Sequence, residues 1–256
     1  MAISSGMIMR CVFPSGICMK GPFKLLATLF VLHLCILTAC TKENNAPATY
    51  IFRDEFNSFD TSLWNKPNHA TPGSPSNGWF FPGNVSVGNG ALGMRIPANT
   101  KDGAELSSLI PYDLKNGSFS ARIKCPSLPG TLTTLFSYQG VDYGDEIDIE
   151  IWNDGSRRVD FTLWKYEISQ INHDPVYTIH FFLTFDPSSS YHEYRVDFDQ
   201  NKISCVVDGL VKDTMTSQSV FPTHPMYLMA NTWWPSWMNG KVDSADKYAC
   251  YDWIQH

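Results

Sequence analysis

Alternation with a period of two dominates the chain beyond residue 50. Phe119, Ala121, Ile123 and Cys125 interleave with Ser118, Ser120, Arg122 and Lys124, as in a strand with one face buried and the other wet. Tyr194, Val196 and Phe198 alternate in the same way with Arg195, Asp197 and Asp199. Further strand-like runs cover residues 85–87, 91–96, 132–138, 159–164, 203–207 and 227–231, and Pro72-Gly73, Asn89-Gly90 and Asp208-Gly209 supply turn signals. No long stretch carries a helical period. Many short strands at close spacing, without a repeat or an internal linker, predict an all-β domain over residues 50–256, a two-sheet β-sandwich of the jelly-roll type.

One run carries the alternation with an unusual choice of polar residue. In Glu146-Ile147-Asp148-Ile149-Glu150 the isoleucines fall on one face of a strand and three acids on the other. Like charges sharing a face repel, so a plain solvated strand rarely carries such a row. Two carboxylates flanking a sugar linkage, with a third to tune them, are what glycoside hydrolysis requires. An acidic strand face or a calcium site would account for the same residues without catalysis.

Composition narrows the choice. A chain of 256 residues with 43% hydrophobic content can bury one sizeable core. A net charge of −6 without basic clusters offers no surface for nucleic acid. The 8 Trp can serve a β-rich core, sugar stacking, or both. There is no GxSxG elbow, phosphate loop or HExxH, and the histidines are scattered. Asp54-Glu55 reads as a solvated strand edge.

The N-terminus reads as a targeting segment. Lys20 and Lys24 precede an apolar run over residues 25–37 that ends in Leu37-Thr38-Ala39-Cys40. A basic start, a short apolar centre and small residues before a cleavage point describe a secretory signal over residues 1–40, with Met19 the better start codon. The run is shorter than the ~20 residues of a membrane span. Its end resembles the bacterial lipobox, which implies lipidation of Cys40 and a membrane anchor. Residues 41–49 form a polar tether, and Thr41 in place of Asp after the cysteine points to the outer membrane and cell surface. Cys125, Cys205 and Cys250 remain in the mature domain without CxxC spacing, so buried free thiols are expected and zinc has no clustered ligands.

Gly144-Asp145-Glu146-Ile147-Asp148-Ile149-Glu150-Ile151 resembles the catalytic strand of glycoside hydrolase family 16, particularly its lichenase branch, the endo-1,3-1,4-β-glucanases. Other segments are similar to that family in the family's own order: Phe52-Arg53-Asp54-Glu55-Phe56-Asn57-Ser58, Asp102-Gly103-Ala104-Glu105-Leu106-Ser107-Ser108, Tyr191-His192-Glu193-Tyr194-Arg195-Val196, Val207-Asp208-Gly209, Ala230-Asn231-Thr232-Trp233 and Tyr251-Asp252-Trp253-Ile254. The resemblance covers nearly all of residues 50–256. It implies a concave sheet forming a glycan cleft, with Glu146 as nucleophile, Glu150 as general acid/base and Asp148 between them as tuning residue. No cofactor is implied for catalysis. The ExDxE form, without the extra residue of laminarinases, agarases and carrageenases, implies a regular strand and a lichenase-like branch.

The same resemblance implies sugar contacts from Asn77, Phe81, Glu105, Tyr138, Trp164, Asn231 and Trp233. It also implies a structural calcium held by the Asp252 side chain with carbonyls of Glu55 and Gly90, since oxygen ligands suit that ion. The chain departs from the lichenase pattern at Gly144, where those enzymes carry Trp, and at Ser107, where Arg is frequent. It departs again at Gly103, one position of a cysteine pair, and in the short loop over residues 140–144. The expected activity is retaining, endo-acting hydrolysis of internal β-glucosidic bonds in a polysaccharide such as mixed-linkage 1,3-1,4-β-glucan, by a monomer. A non-catalytic glycan-binding jelly roll and a xyloglucan-type transglycosylase are the alternatives.

Overall fold

The computed structural model describes residues 53–72 and 78–256, so the signal, the lipobox with Cys40, the tether and Asn77 lie outside the described residues. In chain order the strands are β1 (Arg53–Asp54), β2 (Trp64–Asn65), β3 (His69–Ala70), β4 (Trp79–Phe80), β5 (Val85–Gly88), β6 (Ala91–Ile96) and β7 (Ala104–Ser108). They continue with β8 (Gly117–Lys124), β9 (Leu132–Tyr138), β10 (Glu146–Trp152), β11 (Arg158–Trp164) and β12 (Tyr177–Phe182). The chain closes with β13 (His192–Phe198), β14 (Ile203–Val207), β15 (Leu210–Met215), β16 (Tyr227–Trp233) and β17 (Lys247–Gln255). One sheet runs β15-β14-β13-β8-β17-β6-β5 with β1 against β17, the other β12-β11-β10-β9-β16-β7-β2, and β3 and β4 form a separate pair. The strand pairings of both large sheets are antiparallel, giving the two-sheet sandwich of a jelly roll.

The alternating positions explain why the sheets stack. Phe119, Ala121 and Ile123 of β8, Tyr194 and Val196 of β13, and Tyr251 and Ile254 of β17 are buried against the second sheet. That sheet supplies Ile147, Ile149 and Ile151 of β10 with Val159, Phe161 and Leu163 of β11, all fully buried. Burying the three isoleucines contributes on the order of 5–9 kcal/mol. A slip of one residue would lose that contribution and drive three carboxylates into the core, so the register of β10 is firmly set. The β10 strand pairs with β9 and β11 without a register shift, which is the regular strand that the ExDxE spacing predicts.

Turns fall where the sequence puts them. Asn89-Gly90 and Asp208-Gly209 both have positive φ at each residue, 54° and 70° in the first and 48° and 73° in the second, the geometry of tight hairpins. A short helix, α1 (Tyr166–Asn172), had no signal in the period of the sequence. Asp54 is no solvated edge: its carboxylate accepts the Phe56 N–H at 2.8 Å and the Trp64 indole N–H at 2.7 Å. Cys125 and Cys205 are free and buried, and burial pushes both thiols up. Cys250 differs from the expectation in being disulfide-bonded.

Candidate active site

Strand register arranges the polar face of the second sheet in rows. One row crosses Trp164, Glu146, Tyr138 and Tyr227 on β11, β10, β9 and β16. The next contains Thr162, Asp148, Phe136, Met229 and Ser107, and the third Asp160, Glu150, Thr134, Asn231 and Glu105. A groove of about 870 Å³ lies over these rows, with His69, Phe80, Asp142, Tyr143, Trp233 and Trp237 among its walls. Side chains that are dozens of residues apart in the chain therefore meet because antiparallel pairing puts them directly opposite one another.

The three acids of β10 line this groove. Burial raises the proton affinity of each. Asp148 lies well above the ordinary aspartate range through burial and then the charge of Glu146. Glu146 is raised by burial and by the charges of Glu150 and Glu105, while its hydrogen bond from Asp148 pulls it back down. That bond has one sensible polarity: Asp148 holds a proton and donates it to an ionised Glu146. The Trp164 indole N–H donates to Asp148 Oδ2 at 3.2 Å, fixing the orientation of the aspartate. Glu150 is pushed up to about 8 by burial, then by Asp148 and Asp160, with Arg158 opposing. Burial raises both glutamates to about 8; the hydrogen bond from Asp148 is the feature that favours the anion on Glu146, the role of nucleophile in a retaining glycosidase, and leaves Glu150 as the acid.

Polar residues continue the third row to the edge of the groove. Thr134 donates its hydroxyl proton to Asn231 Oδ1 at 2.6 Å, and Asn231 Nδ2 donates to Glu105 Oε2 at 3.2 Å. His69 Nε2 meets Glu105 Oε1 at 3.0 Å while His69 Nδ1 meets the Ala70 carbonyl at 2.9 Å. With Glu105 ionised both partners are acceptors, so both ring nitrogens carry protons. The bond to Glu105 is accordingly the main reason the His69 pKa is raised.

The structure brings Glu105, Tyr138, Trp164, Asn231 and Trp233 to the groove. Phe81 is different. It lies outside the groove lining, with its ring 6.2 Å from that of exposed Trp79. Extended backbone alternates sides, and Phe80 takes the inward position against His69 and Trp233. Trp233 lines the groove but is only 6% exposed, held by Phe80 and Leu132, and the more open ring of Trp237 stands edge-on to it at 5.5 Å.

Two departures from the lichenase pattern have steric causes. A Cβ at Gly144 would come within 2.7 Å of the Val141 carbonyl oxygen and 2.9 Å of the Val141 side chain. The short loop folds over the position where a Trp would stand. At Gly103 a Cβ would lie 2.5 Å from the Thr232 carbonyl oxygen, so no cysteine fits beside β16.

At the expected calcium residues, Asp252 sits in a bulge of β17 and is almost fully buried. Its Oδ2 accepts from Arg122 at 3.0 Å, so a positive charge already faces this carboxylate. Glu55 pairs through its side chain with Arg53 at 2.6 Å, and Gly90 occupies the β5–β6 turn. The oxygen donors are of the right kind for calcium, but the ion would have to share Asp252 with the guanidinium.

Several residues carried no legible signal. Asp145 is fully buried beside the nucleophile. Its carboxylate accepts the backbone N–H groups of Tyr166 at 2.7 Å, Thr223 at 2.5 Å and His224 at 2.7 Å, with His224 Nδ1 at 3.0 Å. Asp145, Glu167 and His224 lie at metal-ligand spacing, but three backbone N–H groups and the His224 ring already converge on the Asp145 carboxylate, and the group serves as a clamp between the start of β10, α1 and the segment leading to β16. Asp160 and Arg158 could have been found by asking what lies opposite Glu150 in an antiparallel hairpin. His69 sits in a segment without periodicity and offered nothing.

A row of three carboxylates on the floor of a groove, borne by an antiparallel sandwich, defines a glycosidase-type site. The sequence pattern of Glycosyl hydrolases family 16 matches residues 76–255, and the chain belongs to that family. It is an enzyme that hydrolyses glycosidic bonds. The beta-glucanase of Bacillus subtilis (strain 168) is 30% identical over 249 residues, covering 93% of this chain and 98% of the relative. The structure of Bacillus licheniformis beta-glucanase superposes with a TM-score of 0.70 at 27% identity, over 82% of this chain and 98% of the other. A prokaryotic beta-1,3-1,4-glucanase (lichenase) from a mouse hindgut metagenome superposes at 0.68 with 25% identity, over 79% and 96% of the two chains.

Proposed function

We propose that this enzyme cleaves internal β-glucosidic bonds in a neutral β-glucan, with mixed-linkage 1,3-1,4-β-glucan as the leading substrate, and retains anomeric configuration. Glu146 attacks the anomeric carbon and Glu150 protonates the departing oxygen, then takes a proton from the incoming water. Asp148, itself protonated, holds the nucleophile through a hydrogen bond and releases that bond as charge leaves Glu146. The observation that carries this reading is the unbroken strand register that lines up the three acids on the groove floor, Asp148 buried and Glu146 and Glu150 half-buried. A pure binding protein gains nothing from crowding three carboxylates together. Asp142, Glu105 and Asp160 add to the acidity of the groove, which repels sulfated or uronic chains and suits an uncharged one. The β-glucanase and lichenase names of the relatives support glucan as the sugar.

Reducing-end release from barley β-glucan, laminarin, xyloglucan and agarose tests the substrate directly. Cleavage of barley glucan by the native enzyme, and its loss in Glu146→Ala with the fold intact, is the expected result. Tight binding without cleavage of any of the four would overturn it in favour of a glycan-binding protein, and glucan chains lengthened by sugar transfer would favour the transglycosylase.

The lipid anchor on Cys40, a signal over residues 1–40, the outer-membrane location and a monomeric state belong to the same proposal, on sequence grounds. Labelled palmitate on the native protein and not on Cys40→Ala is expected. A soluble, unlabelled periplasmic product would overturn the anchor.

A further inference from the structure

We propose that Asp160 and Arg158 are positioning residues that govern the proton carried by Glu150. This rests on the acid/base assignment of Glu150 and extends it to a pair of residues outside the acidic motif. Asp160 stands directly opposite Glu150 across the β10–β11 ladder, where side chains of an antiparallel pair approach closest. Two acids opposite one another are ordinarily avoided, so the pairing needs a reason.

Arg158 and Trp152 supply the means. The Arg158 guanidinium grips Asp160 in a fork, Nε to Oδ1 at 2.6 Å and Nη2 to Oδ2 at 2.8 Å. The Trp152 indole N–H adds a third bond to Oδ2 at 3.2 Å, and the guanidinium lies over the Trp152 ring at 4.2 Å. Asp160 is 7% exposed. A bidentate guanidinium and an indole N–H are the donors that suit a carboxylate, and they hold the Asp160 group in place directly across from Glu150. An acid fixed there makes a second charge at Glu150 costly.

The other neighbours of Glu150 act consistently. On its own strand Asp148 shares its face and Glu146 lies beyond. From β9 Thr134 faces it in register, but Thr134 has committed its hydroxyl proton to Asn231 and offers no donor to steady an anion. On the β11 side, the negative charge of Asp160 raises the Glu150 pKa and the positive charge of Arg158 lowers it. The two residues form opposed weights on the same proton. During turnover the balance matters in both directions, because Glu150 must give its proton up and take one back.

Opposite displacements on removing each charge are the prediction. In protein labelled with ¹³C at glutamate carboxyls, the Glu150 resonance, assigned by its loss in Glu150→Gln, reports the titration without any substrate. Asp160→Asn should lower the midpoint by about one pH unit, and Arg158→Gln should raise it by a similar amount. The double variant should return it near the native value. On barley β-glucan the alkaline limb of kcat/KM should follow the same order. Movement of both single variants in one direction, or of neither, would overturn the proposal. If the midpoints move as stated while Glu150→Ala keeps native activity on glucan, the acid/base reading falls and the electrostatic pairing stands.

Discussion

Replacing Glu150 by Gln should make the enzyme more stable at neutral and alkaline pH while disabling it. The folded-state pKa of Glu150 is about 8 against an ordinary value of 4.5. A carboxyl raised in this way favours folding only while protonated. Below pH 4.5 both states carry the proton and the residue is neutral in its effect. As pH rises toward 8 the unfolded chain ionises freely while the folded protein must hold the proton or bury a charge, so stability is lost. Each pH unit in that window costs about 1.4 kcal/mol, which places the ceiling at pH 7 near 3.4 kcal/mol. Glu150 is partly exposed to the groove, and solvent screening reduces this to about 1–2 kcal/mol. Gln keeps the shape and never ionises. Urea denaturation of native enzyme and Glu150→Gln at pH 4, 7 and 8.5 measures the difference. The urea curves should coincide at pH 4 and separate at pH 7, and thermal melts at pH 7 should show a rise in Tm of about 2–8 °C. A variant no more stable at pH 8.5 than at pH 4, relative to the native protein, would refute the claim that burial and neighbouring acids hold this proton.

Trp164→Phe keeps the ring and removes the N–H donor to Asp148; loss of one such bond to the tuning residue should lower kcat about tenfold, and an unchanged kcat would show that Asp148 is oriented by other means. Asp145→Asn turns an amide toward at least one of the backbone N–H groups that the carboxylate accepts, so the urea midpoint should fall by an amount worth about 2–3 kcal/mol; an unaltered midpoint would remove Asp145 as the clamp beside the nucleophile. We also propose a structural calcium at Asp252 with the Glu55 and Gly90 carbonyls. It predicts a Tm that falls on EDTA treatment and recovers with calcium in the native enzyme, but not in Asp252→Asn. A Tm indifferent to EDTA would assign Asp252 to Arg122 alone.

Alternation along the chain determined a great deal by itself. A period of two is a property of each strand separately, so β6, β8, β9, β13 and β14 and the acid face of β10 were legible locally. So were the hairpins at Asn89-Gly90 and Asp208-Gly209, because positive φ is a demand on single residues. The helix α1 was not legible, being a seven-residue element held in place by Asp145 from the turn before β10 rather than by its own pattern. The inward turn of Phe80 in place of Phe81 was also undetermined, since it depends on what β16 presents across the groove.

The three acids could be named from the sequence, but what sets their protonation could not. Ionisation responds to nearby charges, and those from other strands are Asp160 and Arg158 on β11, paired with β10, and Glu105 on β7, further along the same row beyond β9 and β16. Asp160 with its Arg158 fork, Trp164 on Asp148 and the His69–Glu105 pair are therefore products of tertiary structure. So is the reason for Gly144: the clash of a side chain with Val141 exists only once the short loop has folded back on itself. Sequence determined which residues carry the chemistry, because that is a matter of residue type and strand period. Only the folded sheet decided which of them holds a proton and which a charge, because that is a matter of what stands opposite.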